Sequence, residues 1–176
     1  MKRVPAIILL LAVALSAVGD LRLYATDWDR WGPLGPRDAI PIFEAPGVDN
    51  PGLNNEDLLG KVTVMTFWAS WCGPCAQEMP AIEAVAQSYD PKKVHVVGVN
   101  RDREGDIRQI VRSYREQKQL SFDMVLDQGA MGRAFRVSLI PHLVIVDENT
   151  QIRFVHQGRT SESTLREEIE SLLAEG

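Results

Sequence analysis

Cys72 and Cys75 are the only cysteines in the 176-residue chain, and they stand two residues apart in the run Trp71-Cys72-Gly73-Pro74-Cys75. At that spacing a single turn brings the sulfurs together, and reversible disulfide formation is the chemistry on offer. The run follows an apolar, β-rich segment, Val62 to Trp68. It opens a stretch in which Cys75, Met79, Ile82, Ala86 and Tyr89 recur at helical spacing up to Asp90-Pro91. A strand-to-helix junction puts Cys72 where the unpaired N–H groups and the dipole of a helix stabilise a thiolate. Pro74 suits the first turn, because its missing N–H has no partner to lose there. Cys75, one turn further in, is placed to attack a mixed disulfide formed by Cys72.

Two inert uses of the pair are weaker. A static staple across so short a ring contributes little through loop closure. Zinc normally takes four ligands, and His95, His142 and His156 have no ligand spacing to the two thiols. No metal and no other cofactor is expected.

The elements that position the pair read as an α/β domain over residues 39–176. Val62 to Trp68 predicts a strand buried on both faces, Val94 to Val99 a second, and Phe122 to Leu126 a short third. Ile40 to Phe43 reads as a short edge strand, where Pro41 is tolerated. Leu143 to Val146 and Ile152 to Val155 flank Glu148-Asn149-Thr150 and read as a hairpin. Ile107, Ile110, Val111 and Tyr114 mark one face of a helix. Leu165, Ile169, Leu172 and Leu173 mark the stripe of a last one, which Thr160 or Ser161 can cap. Strands alternating with helices predict a central mixed sheet with helices on both faces.

The first nineteen residues differ in kind. Lys2 and Arg3 precede an apolar run from Val4 to Val18, which fits the h-region of a secretory signal, and Ala17-Val18-Gly19 offers small residues for cleavage. Tyr24, Trp28 and Trp31 follow, and aromatics of that kind sit at membrane interfaces, so a retained N-terminal anchor making membrane contact is the alternative. Residues 20–38, with Gly32-Pro33 and Gly35-Pro36, read as a tether. A net charge of -5 and the lack of any long basic run argue against a nucleic-acid partner.

The segment Phe67-Trp68-Ala69-Ser70-Trp71-Cys72-Gly73-Pro74-Cys75 resembles the active site of the thioredoxin superfamily. With Ala76-Gln77-Glu78-Met79-Pro80 after it and Leu59-Gly60-Lys61 before the strand, it is similar to the exported TlpA/ResA branch. The resemblance implies a thioredoxin-like fold over residues 39 to 174 and a protein-disulfide reductase working through Cys72 and Cys75. It implies a cis-proline at Ile140-Pro141, exposing the Ile140 backbone to a substrate strand. It also implies a close-approach glycine at Gly158, which reads equally as a plain turn glycine. Gly73, Pro74 and Trp71 would border the substrate groove, with Trp68 in the core.

Thioredoxins proper carry an aspartate six residues before the first cysteine; Thr66 stands there and cannot titrate. Glu78, one turn after Cys75, takes its place as proton acceptor by resemblance, against the plainer reading of a solvated helix glutamate. His142 replaces an expected threonine and reads as a surface histidine with no catalytic part. The branch implies disulfide-bearing exported proteins as substrates, cytochrome c maturation among them. It implies re-reduction by a membrane carrier of the CcdA or DsbD type, in the bacterial periplasm or on the outer face of the cytoplasmic membrane. An oxidant or isomerase of the same fold, and a non-enzymatic peptide clamp, are the rivals. The Thr-or-Ser and Pro that precede a peroxidatic cysteine in peroxiredoxins are absent here.

Overall fold

The structure, a computed structural model, describes residues 34–175. The signal or anchor expected over residues 1–19, and residues 20–33 of the tether, lie outside them. Among the described residues no helix is long and apolar enough to cross a membrane.

The middle of the molecule is a five-stranded sheet built from β3 (Val62–Trp68), β4 (Val94–Asn100), β5 (Asp123–Leu126), β6 (His142–Val146) and β7 (Ile152–Gln157), in the order β5-β4-β3-β6-β7. A separate two-stranded ribbon pairs β1 (Glu44–Ala45) with β2 (Leu53–Asn54). β3, β4 and β5 run parallel, and β6 and β7 antiparallel to their neighbours, so the sheet is mixed. All seven residues of β3 are buried, as a central strand covered on both sides requires.

Alternation along β3 sorts the core. Val62, Val64 and Trp68 face a cluster shared with helices α1 (Gly73–Ser88), α2 (Ile107–Lys118) and α4 (Glu162–Leu173). Met65 and Phe67 face the other cluster, closed by α3 (Ala130–Ala134), Phe43, Leu53 and Leu58. Gly98 on β4 makes room for this packing: a β-carbon there would lie 3.1 Å from Trp68 Nε1 and 2.5 Å from Met124 Sδ. The Trp68 indole instead lies against Tyr114, with ring centroids 4.6 Å apart. Of the two candidate caps for the last helix, Ser161 is the one used, its hydroxyl accepting from the Thr164 N–H at 3.1 Å.

Two stretches differ from the sequence reading. Ile40 to Phe43 forms no strand: the Ile40 N–H bonds to the Thr150 carbonyl at 3.3 Å, and beyond it a side chain takes the place of a strand partner. Asn55 accepts the Phe43 N–H at 2.8 Å and donates to the Pro41 carbonyl at 3.0 Å. Ile42 is left 93% exposed, and the two-stranded ribbon begins at Glu44. Residues 34–38, at the end of the stretch read as a tether, already touch the sheet, with the Arg37 N–H bonded to the Ile152 carbonyl at 2.7 Å.

Candidate active site

The buried strand β3 runs out at Trp68, and a short turn delivers Cys72 as the N-cap of α1. Cys72 and Cys75 are joined as a disulfide. The Cys75 N–H donates to Cys72 Sγ at 3.2 Å, so a free amide of the first helical turn does point at the first sulfur. Cys72 is 5% exposed and Cys75 fully buried, an asymmetry that fits an attacking and a resolving sulfur. Gly73 and Pro74 lie exposed between them, with Pro74 in the first turn of the helix. Trp71, 72% exposed, stands beside the pair in sequence, whereas Trp68 is wholly buried.

Glu78 is no solvated helix residue. It is 2% exposed, its Oε1 accepting the Thr160 N–H at 2.8 Å and its Oε2 the Thr66 hydroxyl at 3.4 Å. Burial pushes its carboxyl above the ordinary 4.5, and the Thr160 amide, the Thr66 hydroxyl and the charge of His156 draw it partly back. The position that is aspartate in thioredoxins thus supports this carboxylate instead of supplying one.

The Ile140-Pro141 peptide is cis. Neither the N–H nor the C=O of Ile140 bonds to another described residue, while the Pro141 carbonyl accepts the Gly158 N–H at 2.9 Å. Gly158 has φ +88°, which is reason enough for glycine, and the space before it is open: an added β-carbon would meet nothing within 4 Å. The antiparallel β6–β7 pairing therefore brings Pro141 and Gly158 together, and Thr160 just beyond them reaches Glu78.

His142 corrects the sequence reading. It is 2% exposed, set edge-on to Phe67 at 5.8 Å, and burial together with the charge of Arg101 pulls its pKa from 6.5 to about 4. Position 142 pairs with Phe67 at the start of β6, a strand buried on both faces, which the residue type alone could not reveal.

The sequence reading missed Asn100 and Asp102. The Asp102 carboxylate accepts the N–H and the hydroxyl of Ser70, each at 3.0 Å, and an Asn100 amide hydrogen at 2.7 Å. The one signal in the sequence was a polar triplet, Asn100-Arg101-Asp102, closing an apolar strand. Among the described residues no group of three His, Cys, Asp or Glu side chains is placed to hold a metal ion.

The sequence profile of the AhpC/TSA family matches residues 36–155. The chain belongs to that family. Among its relatives, the thioredoxin-like protein YneN of Bacillus subtilis is 30% identical over 130 residues, 74% of this chain and 76% of YneN. The thiol-disulfide oxidoreductase ResA of Geobacillus thermodenitrificans is 25% identical over 164 residues, 93% of this chain and 92% of ResA. Among solved structures, that of a candidate thiol:disulfide interchange protein DsbE from Chlorobium tepidum is similar with a TM-score of 0.72. It shares 29% identity and is matched over 80% of this chain and 99% of its own. The fold is thioredoxin-like, and this AhpC/TSA member is a thiol–disulfide oxidoreductase with Cys72 and Cys75 in CxxC spacing.

Proposed function

We propose that the protein reduces disulfides of exported proteins. The buried carboxylate of Glu78, one helical turn beyond a fully buried Cys75, carries the reading, because a resolving thiol in that position needs a proton acceptor that water cannot supply. The Cys72 thiolate attacks a partner disulfide: a Cys72–partner bond forms and the partner's second sulfur leaves as a thiolate. Cys75 passes its proton to Glu78 and attacks Cys72, closing the Cys72–Cys75 disulfide and freeing the partner's first sulfur. Two electrons have moved to the partner, and the enzyme is left oxidised.

The substrate segment lies extended against the open backbone of Ile140 beside Pro141, with Trp71, Gly73, Pro74 and Gly158 bordering it. Re-reduction falls to a membrane electron carrier of the CcdA or DsbD type, with apocytochrome c or its maturation partners among the substrates. The apolar run at residues 4–18 supports export to the periplasm or the outer face of the membrane, as signal or anchor. The names of the ResA and DsbE relatives support the same branch.

The reduction potential of the Cys72–Cys75 couple, equilibrated against glutathione and dithiothreitol buffers, tests the direction. A value near about -270 mV, that of thioredoxin, is expected; one near about -120 mV, that of DsbA, would make the protein an oxidant and remove the proposed substrates and carrier.

A further inference from the structure

The turn that delivers Cys72 is held by one side chain from the loop that follows β4. Ser70, two residues before Cys72, gives both its N–H and its hydroxyl to Asp102 at 3.0 Å. Asn100 Nδ2 adds a donor at 2.7 Å, and the Asp102 N–H returns to Asn100 Oδ1 at 3.1 Å. Asn100 is itself 1% exposed and locked in register against Trp68. Three donors on one carboxylate fix both the turn and the place of the charge. Two residues of chain span at most about 7 Å, so the carboxylate lies within about 10 Å of the Cys72 backbone. That is comparable to a Debye length of about 8 Å at physiological ionic strength, so the charge is incompletely screened.

Other ionisable groups stand on the neighbouring elements: Glu78 on α1, Tyr114 on α2 against Trp68, His142 on β6, His156 on β7, Arg159 ahead of α4, and Arg101 and Arg103 after β4. Arg101 pairs with Asp127 at 3.0 Å, His156 with Glu168 at 2.9 Å, and Arg159 donates to Gln77 at 2.9 Å. None of their side chains hydrogen-bonds to residues 69–72. Asp102 alone among them grips that turn.

We propose that Asp102 is a positioning residue for the Cys72 nucleophile and that its fixed charge opposes the helix N-terminus, keeping the Cys72 thiol from becoming strongly acidic. The helix amides favour the thiolate; a carboxylate fastened to the turn that leads into Cys72 disfavours it. A less acidic attacking thiol gives a weaker oxidant, so this role rests on, and deepens, the reductant reading above.

The test is the pH dependence of iodoacetamide alkylation of Cys72 in the reduced full-length protein. Asp102→Asn removes the charge and is expected to lower the midpoint by about half a pH unit or more, an approximately threefold faster reaction below the midpoint. Asp102→Ala removes the charge without adding a donor and serves if the amide variant does not fold. Ser70→Ala loses one bond to the turn, keeps the carboxylate, and should leave the midpoint in place. An unmoved midpoint in the Asp102 variant, or an equal shift in Ser70→Ala, overturns the proposal. A wild-type potential near that of DsbA would instead refute the reductant reading and leave the comparison of midpoints standing.

Discussion

Replacing Glu78 by glutamine isolates the proposed proton acceptor with little disturbance of shape. The glutamine oxygen can still accept the Thr160 N–H, 2.8 Å away in the native site, and its amide can donate to the Thr66 hydroxyl at the 3.4 Å position. What disappears is the capacity to take a proton from Cys75. An ordinary thiol with a pKa of about 8.5 is ionised only to about 3% at pH 7. Without an acceptor, resolution of the mixed disulfide must draw on that fraction and slows by about 30-fold at pH 7. The deficit shrinks as pH rises, about tenfold for each pH unit until the thiol ionises unaided. Stopped-flow release of the second thiol from a disulfide peptide, measured from pH 6 to 9.5 on wild type and Glu78→Gln, reads this directly. Equal rates at pH 7 would refute the assignment. So would a deficit that does not narrow between pH 6 and 9.5, since a pH-independent loss marks damaged packing and not a missing base.

Two further outcomes are open to simple measurement. His142, neutral in the fold with its pKa drawn from 6.5 to about 4, binds its proton more readily in the unfolded chain. Its contribution to stability is complete above about pH 6.5 and is lost as pH falls toward about 4, a swing of roughly 3 kcal/mol. In urea titrations at pH 4.5 and 7.5, His142→Leu should show a smaller acid-induced loss than wild type, and an identical loss would place the sensitivity elsewhere. Cys75→Ser, presented with a disulfide-bearing protein, should accumulate a dithiothreitol-sensitive covalent adduct through Cys72, and Cys72→Ser should form none. Adduct formation by the second variant would reverse the roles of the sulfurs.

What the sequence disclosed was what neighbours along the chain determine. The strand, turn and helix around Cys72 were legible because Val62 to Trp68, the Gly73-Pro74 pair and the helical recurrence after Cys75 are adjacent signals. The cis peptide at Ile140-Pro141 came from resemblance, and the structure bears it out. The burial of Glu78 depended on Thr66, 12 residues away, and Thr160, 82 away, which helical spacing alone cannot bring together. The Ser70–Asp102 contact spans 32 residues and needs the parallel register of β3 and β4 before it exists. At α3, five residues are too few to carry a period, and at Ile40 to Phe43 a remote asparagine took the place of a strand partner.

The amide that Thr160 offers Glu78 belongs to the same short loop whose Gly158 N–H is tied to Pro141. Proton affinity and loop position are therefore thermodynamically linked. Whatever draws Thr160 away removes a bond that favours the charged carboxylate and leaves Glu78 a more avid acceptor. By reciprocity, a proton arriving on Glu78 weakens the hold on the loop by the same free energy. If the proposed substrate strand beside Pro141 displaces this loop, the same displacement favours the proposed transfer of the Cys75 proton to Glu78, and the two steps need no separate signal to be timed to one another.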